Sequence, residues 1–91
     1  MTLSFVDDKD HNRYDLFVDD ERVGEIDYRV LDGAIHLTHT VVFPERREHG
    51  LAGEFVQQVL DSLRGGDLRL VADCPYVAHW LTSHPEYHDL L

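Results

Sequence analysis

With 91 residues the chain holds one core of modest size, so a single domain over residues 1–91 is expected, with little room for an accessory module. A formal charge of -10, from 18 acids against 8 Lys and Arg, excludes non-specific nucleic-acid binding, which needs a basic surface. Apolar content of 43% is ordinary for a soluble protein, no apolar run approaches a membrane span or a signal-peptide core, and the lone Cys74 closes no internal disulfide; a cytoplasmic protein with no membrane partner is expected.

Thr2 to Val6 reads as a first strand, followed by a polar turn from Asp7 to Asn12. Tyr14 to Val18 forms a second strand, and Asp19-Asp20-Glu21 a tight connection. Arg22 to Leu31 alternates, with some irregularity, through Val23, Ile26, Tyr28 and Val30, and Asp32-Gly33 is a strong hairpin signal. Ala34 to Phe43 gives a fourth strand, closed by Pro44, with Ile35, Leu37 and Val41 expected on one face. The period then changes. Leu51, Phe55, Val56, Val59, Leu60 and Leu63 recur at helical spacing and leave Glu54, Gln57, Gln58 and Asp61 for solvent. Gly65-Gly66 stops that helix. Leu68 to Ala72 is short and nearly apolar, which suits an interior strand parallel to the fourth. Cys74-Pro75 ends it, and Tyr76 to Thr82 makes a second helix, halted near His84-Pro85. The order ββββαβα gives an α/β fold: a four-stranded antiparallel meander, a helix, a parallel fifth strand and a C-terminal helix in one mixed sheet.

The stretch Arg47-Glu48-His49-Gly50-Leu51-Ala52-Gly53 joins the fourth strand to the first helix. A small-residue loop running straight into a helix leaves backbone N–H groups unpaired and pointing outward. With the positive end of the helix dipole they make a site for a phosphate or pyrophosphate. The plain alternative is that Gly50 and Gly53 only permit a tight strand-to-helix turn. Charge is distributed in keeping with an anion site: residues 7–32 carry ten acids against four bases, whereas residues 46–69 carry four of each.

The pattern Arg-x-x-Gly-x-Ala at Arg47, Gly50 and Ala52 resembles the acyl-CoA pyrophosphate loop of the GCN5-related N-acetyltransferases. The flanking order is similar as well: His39-Thr40-Val41-Val42-Phe43-Pro44-Glu45 before the loop, then Val71 to Leu81 and His84-Pro85-Glu86-Tyr87 after it. The likeness is to the minimal, YjdJ-type branch of that superfamily, dense from His39 to Tyr87 and diffuse before it. Two departures are Glu48, where the family usually has Gly, and Gly53, where it often has Ser. The resemblance implies that acetyl-CoA binds between the fourth and fifth strands. Val41 and Val42 would then offer backbone contacts to the pantetheine arm. The N–H groups of His49, Gly50, Leu51, Ala52 and Gly53 would hold the pyrophosphate, and Arg47 would add a charge-assisted contact. Full-size members place two helices between the first and second strands. Here the connection is too short for helices, which implies an open acceptor side suited to a bulky acceptor such as a protein amine.

Cys74 stands at the carboxyl end of the fifth strand, where α/β sheets usually place ligands. Under the resemblance a thioester would lie near it, and the thiol would accept the acetyl group or line the pocket; a buried apolar filler is the bland reading. His39, two residues before Val41, is expected to face Cys74 across the gap as a proton acceptor, with a hydrogen-bonded structural histidine of equal weight. His36, an odd number of residues away, is expected on the opposite side. No metal site is expected: His84 and His88 have helical spacing, but Pro85 interrupts the helix and no zinc pattern occurs. Trp80, Leu81 and Tyr87 are expected in the core, with Tyr76 and Trp80 also placed to flank the cofactor arm. The resemblance thus implies an acetyl-CoA-dependent N-acetyltransferase acting on an unidentified amine. The alternative is a non-catalytic CoA-binding or protein-interaction module on the same fold. Oligomeric state is left open.

Overall fold

Two of the reversals that build the sheet are made by pairs of residues at positive φ, Asp19 with Asp20 and Asp32 with Gly33. That is the signature of the two-residue type I′ turn, whose twist matches the strands it joins. Aspartate tolerates the left-handed region better than most residues, so acids serve as turn chemistry here as well as surface charge. The computed structural model describes residues 1–48 and 50–91. It contains β1 (Leu3–Asp8), β2 (Arg13–Val18), β3 (Glu21–Leu31), β4 (Ala34–Val42), α1 (Leu51–Leu63), β5 (Arg69–Ala72) and α2 (Pro75–Thr82). One sheet runs in the order β1-β2-β3-β4-β5, antiparallel through β4, with β5 parallel to β4. The mixed α/β order read from the sequence is the order observed.

Both helices lie on one face. The buried stripe of α1, Leu51, Phe55, Val56, Val59 and Leu60, meets Leu16, Ile26, Ile35, Leu37 and Leu70 of the sheet, and Val77, Trp80 and Leu81 of α2 complete the same core. Side chains on the other face, among them Arg13, Asp15, Glu25, Asp27, His36 and His39, are half-buried or exposed, so that face carries no second layer. Gln58, expected to face solvent, instead donates to the Leu3 carbonyl at 3.3 Å and ties α1 to the edge strand. Two short 3-10 segments, Pro44–Arg46 and Pro85–Leu90, each begin with a proline, whose fixed φ suits a first helical position. Among the described residues no helix is long and apolar enough to cross a membrane.

One irregularity governs the site. In β4, Leu37 pairs with Tyr28 and His39 with Asp27, which leaves Thr38 as an extra, bulged residue. A one-residue insertion reverses every later side chain. Ile35 and Leu37 face the core as expected, but beyond the bulge Val42 is buried and Val41 is exposed. The expectation that Val41 shares their face is corrected accordingly.

Candidate active site

β4 and β5 pair only from Ala34 to Leu37, and the last tie is the Cys74 amide donating to the Leu37 carbonyl at 2.8 Å. Pro75 then opens α2 and leads the chain away from the sheet. Beyond Leu37, β4 continues to Val42 paired with β3 alone, and among the described residues no strand lies on its β5 side. The result is a splayed edge whose far end points at the start of α1. There Gly50 holds φ at 79° as the N-cap, and no side chain caps the helix. Leu51 N–H donates to the Glu48 carbonyl at 3.2 Å, and the helix ladder starts with Glu54 N–H to Gly50 at 3.1 Å. The N–H groups of Ala52 and Gly53 and the helix dipole are therefore available to an anion, while that of Leu51 is taken by Glu48. Gly53 lets α2 approach: a Cβ built there would stand 3.3 Å from Trp80 Nε1 and 3.4 Å from the Tyr76 hydroxyl. Both donors consequently flank the first turn of α1. Burial, and then the Cys74 thiol, push the Tyr76 phenol up, so it remains a donor.

The loop residues make contacts that the sequence does not show. Arg47 donates from Nε to the Val42 carbonyl at 3.0 Å, clamping the end of β4 and leaving its other N–H groups for a second acceptor. Glu48 is held by Arg46 at 3.2 Å, and Arg46 also reaches Glu21 at 2.7 Å, so the acid in the loop is paired. Leu51 is buried, and Ala52 and Gly53 are half-buried, in the first turn of α1. His49 lies outside the described residues.

Cys74 and His39 are not brought together. Cys74 is buried, and its Sγ donates at 3.5 Å to the Thr40 hydroxyl, a neighbour that the sequence reading missed. The bulge turns Thr40 inward and His39 outward, where the His39 side chain is 73% exposed. For the same reason His36 shares the face of His39 instead of opposing it, and its Nδ1 meets Asp73 at 2.9 Å. The C-terminal histidines are engaged by the backbone: His84 with the Trp80 carbonyl at 2.7 Å and His88 with the Leu81 carbonyl at 2.8 Å.

The family model described as GCN5-related N-acetyl-transferase matches residues 13–90. The chain belongs to this family. A GCN5-like protein from Staphylococcus aureus, solved in solution by NMR, superposes with a TM-score of 0.72 at 26% identity over 97% of this chain and 86% of that one. No curated protein matches the chain. In this GCN5-related chain a cavity of about 600 Å³, lined by Phe5, Asp7, Tyr14, Tyr28 and Leu63 among others, lies beyond the other end of the core from the splayed edge and shares no residue with it.

The open face of this family member carries a charged row. Arg13 and Arg22 each donate to Asp15 at 2.9 Å, and Arg22 also meets Glu25 at 2.8 Å. Burial, and then the Glu25 carboxylate sharing a hydrogen bond, push Asp27 up to about 6 against the opposing pull of His39 and Arg13. A folded-state acid that holds its proton more tightly than the unfolded chain loses stability as pH rises from its ordinary value, 3.8, through about 6. Asp27→Asn should therefore raise Tm near neutral pH and lose that advantage as the pH approaches 4, in paired thermal melts across the range.

Proposed function

We propose that the chain is an acetyl-CoA-dependent N-acetyltransferase whose cofactor takes the place of the missing strand beside Thr38–Val42. The splay of β4 from β5, ending at the left-handed Gly50, carries this reading. The pantetheine arm pairs with the backbone of Val41 and Val42. The pyrophosphate rests on the N–H groups of Gly50, Ala52 and Gly53, with those of His49 and Leu51 completing the set drawn from the sequence once Leu51 releases the Glu48 carbonyl. Tyr76 and the spare N–H groups of Arg47 stand beside it.

A thioester threaded through the gap meets the helix layer on one side and the bare sheet face on the other. Cys74 and Thr40 lie on the first side, and the acceptor amine arrives on the second, where His39 frees its lone pair by taking a proton. The nitrogen attacks the carbonyl carbon, the C–N bond forms and the C–S bond breaks. The Cys74 thiol protonates the departing CoA sulfur and is restored by the proton that the nitrogen sheds. Among the described residues no imidazole contacts Cys74, which favours direct transfer; an acetyl-Cys74 intermediate would show in intact mass after exposure to acetyl-CoA.

Saturating acetyl-CoA at one hundred times Kd should stabilise the protein by about 2.7 kcal/mol, a rise of several degrees in a domain of this size. Gly50→Glu, which strains a positive φ and sets a charge against the anion, should abolish the rise. A wild type with no rise rejects the cofactor site. A rise without acetylation of n-butylamine would point to the non-catalytic module instead.

A further inference from the structure

The bulge also sets which groups meet the ring nitrogens of His39. Thr38 Oγ1 lies 3.2 Å from the Asp27 backbone carbonyl and donates to it. A hydroxyl has a single proton to give. Toward His39 Nδ1, also 3.2 Å away, Thr38 can then only accept. With the Thr38 proton given to the Asp27 carbonyl, Nδ1 would hold the ring hydrogen, and the Nε2 lone pair would be the one left for another partner. The Asp27 carboxylate stands 3.9 Å from the same Nδ1, across the β3–β4 pair. This Asp–His–lone-pair arrangement lies on the uncovered sheet face, beside the point where β4 leaves β5.

We propose that Thr38 and Asp27 are positioning residues that hold His39 with its Nε2 as proton acceptor toward the incoming amine. The inference rests on the acetyltransferase reading. An ammonium matches the Asp27 and Glu25 carboxylates, and the open face admits a stem of any bulk. His39 Nε2 takes the proton that turns the ammonium into an attacking amine and passes it to solvent. The groups facing Asp27 are Glu25 on its own strand, Arg13 on β2 and His39 on β4, with Arg22 and Arg13 acting on Glu25 and Asp15 accepting from Arg22. Asp27 is ionised at neutral pH, where it stabilises the imidazolium.

Long-range proton–nitrogen spectra of histidine-labelled protein read the tautomer without any acceptor. Wild-type His39 should carry its proton on Nδ1. Thr38→Val should shift it to Nε2, the preference of free imidazole, whereas Thr38→Ser should keep it on Nδ1. With n-butylamine as probe, Thr38→Val and Asp27→Asn should each lower kcat roughly tenfold at unchanged KM for acetyl-CoA. A wild-type Nε2–H tautomer overturns the proposal and leaves the family function standing. The Nδ1–H tautomer with kcat unchanged in both variants overturns the positioning role. Failure to bind acetyl-CoA at all would overturn the proposed function, and with it this relay, whatever the tautomer.

Discussion

Gly24→Ala should lower Tm on the order of 10 °C and abolish the response to acetyl-CoA in the same protein. Gly24 lies in β3 opposite Val42. A Cβ built there would stand 2.1 Å from the Val41 carbonyl oxygen and 3.0 Å from Val42 Cα. Both are backbone atoms, so no rotamer change relieves the clash and the end of β4 must shift away from β3. Overpacking a fitted interior costs about 1–3 kcal/mol and occasionally more, and each kcal/mol is worth about 4–8 °C in a domain of this size. The displaced backbone is the same Val41–Val42 edge that is proposed to hold the pantetheine arm, so stability and binding should fail together. Gly66→Ala is the control: its Cβ would meet only the Leu63 carbonyl at 3.4 Å, an ordinary contact. Thermal melts of the two variants, with and without acetyl-CoA, check the pair.

Removing the imidazole of His39 should lower kcat for n-butylamine by about a hundredfold or more and leave Tm unchanged. Loss of a positioned base typically costs 10²–10⁴-fold. The side chain is 73% exposed and fills no cavity, so folding should not register its loss. The KM for acetyl-CoA should stay put, because His39 lies on the face away from Cys74 and the first turn of α1. His36→Ala on the same face, whose partner is Asp73, should leave the rate unchanged. Equal rates for the His39 and His36 variants would remove His39 from the chemistry.

Much of the fold was legible because its signals are local. The helical spacing from Leu51 to Leu63 gave α1 its bounds, and Asp19-Asp20 and Asp32-Gly33 gave two hairpins. The loop at Arg47 to Gly53 was legible as a place, though not as a set of contacts. Nothing in the order of residues shows that Arg47 turns back to Val42 or that Glu48 pairs with Arg46. The bulge was not legible. Thr38-His39-Thr40 is polar throughout, so the alternation carries no phase across it, and one inserted residue reverses everything that follows. That slip is why His39 was expected opposite Cys74 and why Thr40 went unnoticed. Gly24 did carry a signal, since glycine inside a strand often marks close backbone approach; what approaches it became visible only with β4 in place.

The central claim is that acetyl-CoA occupies the splay between β4 and β5. Backbone amide spectra during an acetyl-CoA titration test it most directly. The largest shifts are expected at Thr38–Val42, Gly50–Gly53 and Cys74–Tyr76. Shifts gathered instead around Phe5, Tyr14, Tyr28 and Leu63, which line the large cavity, or no shifts at millimolar cofactor, would contradict it.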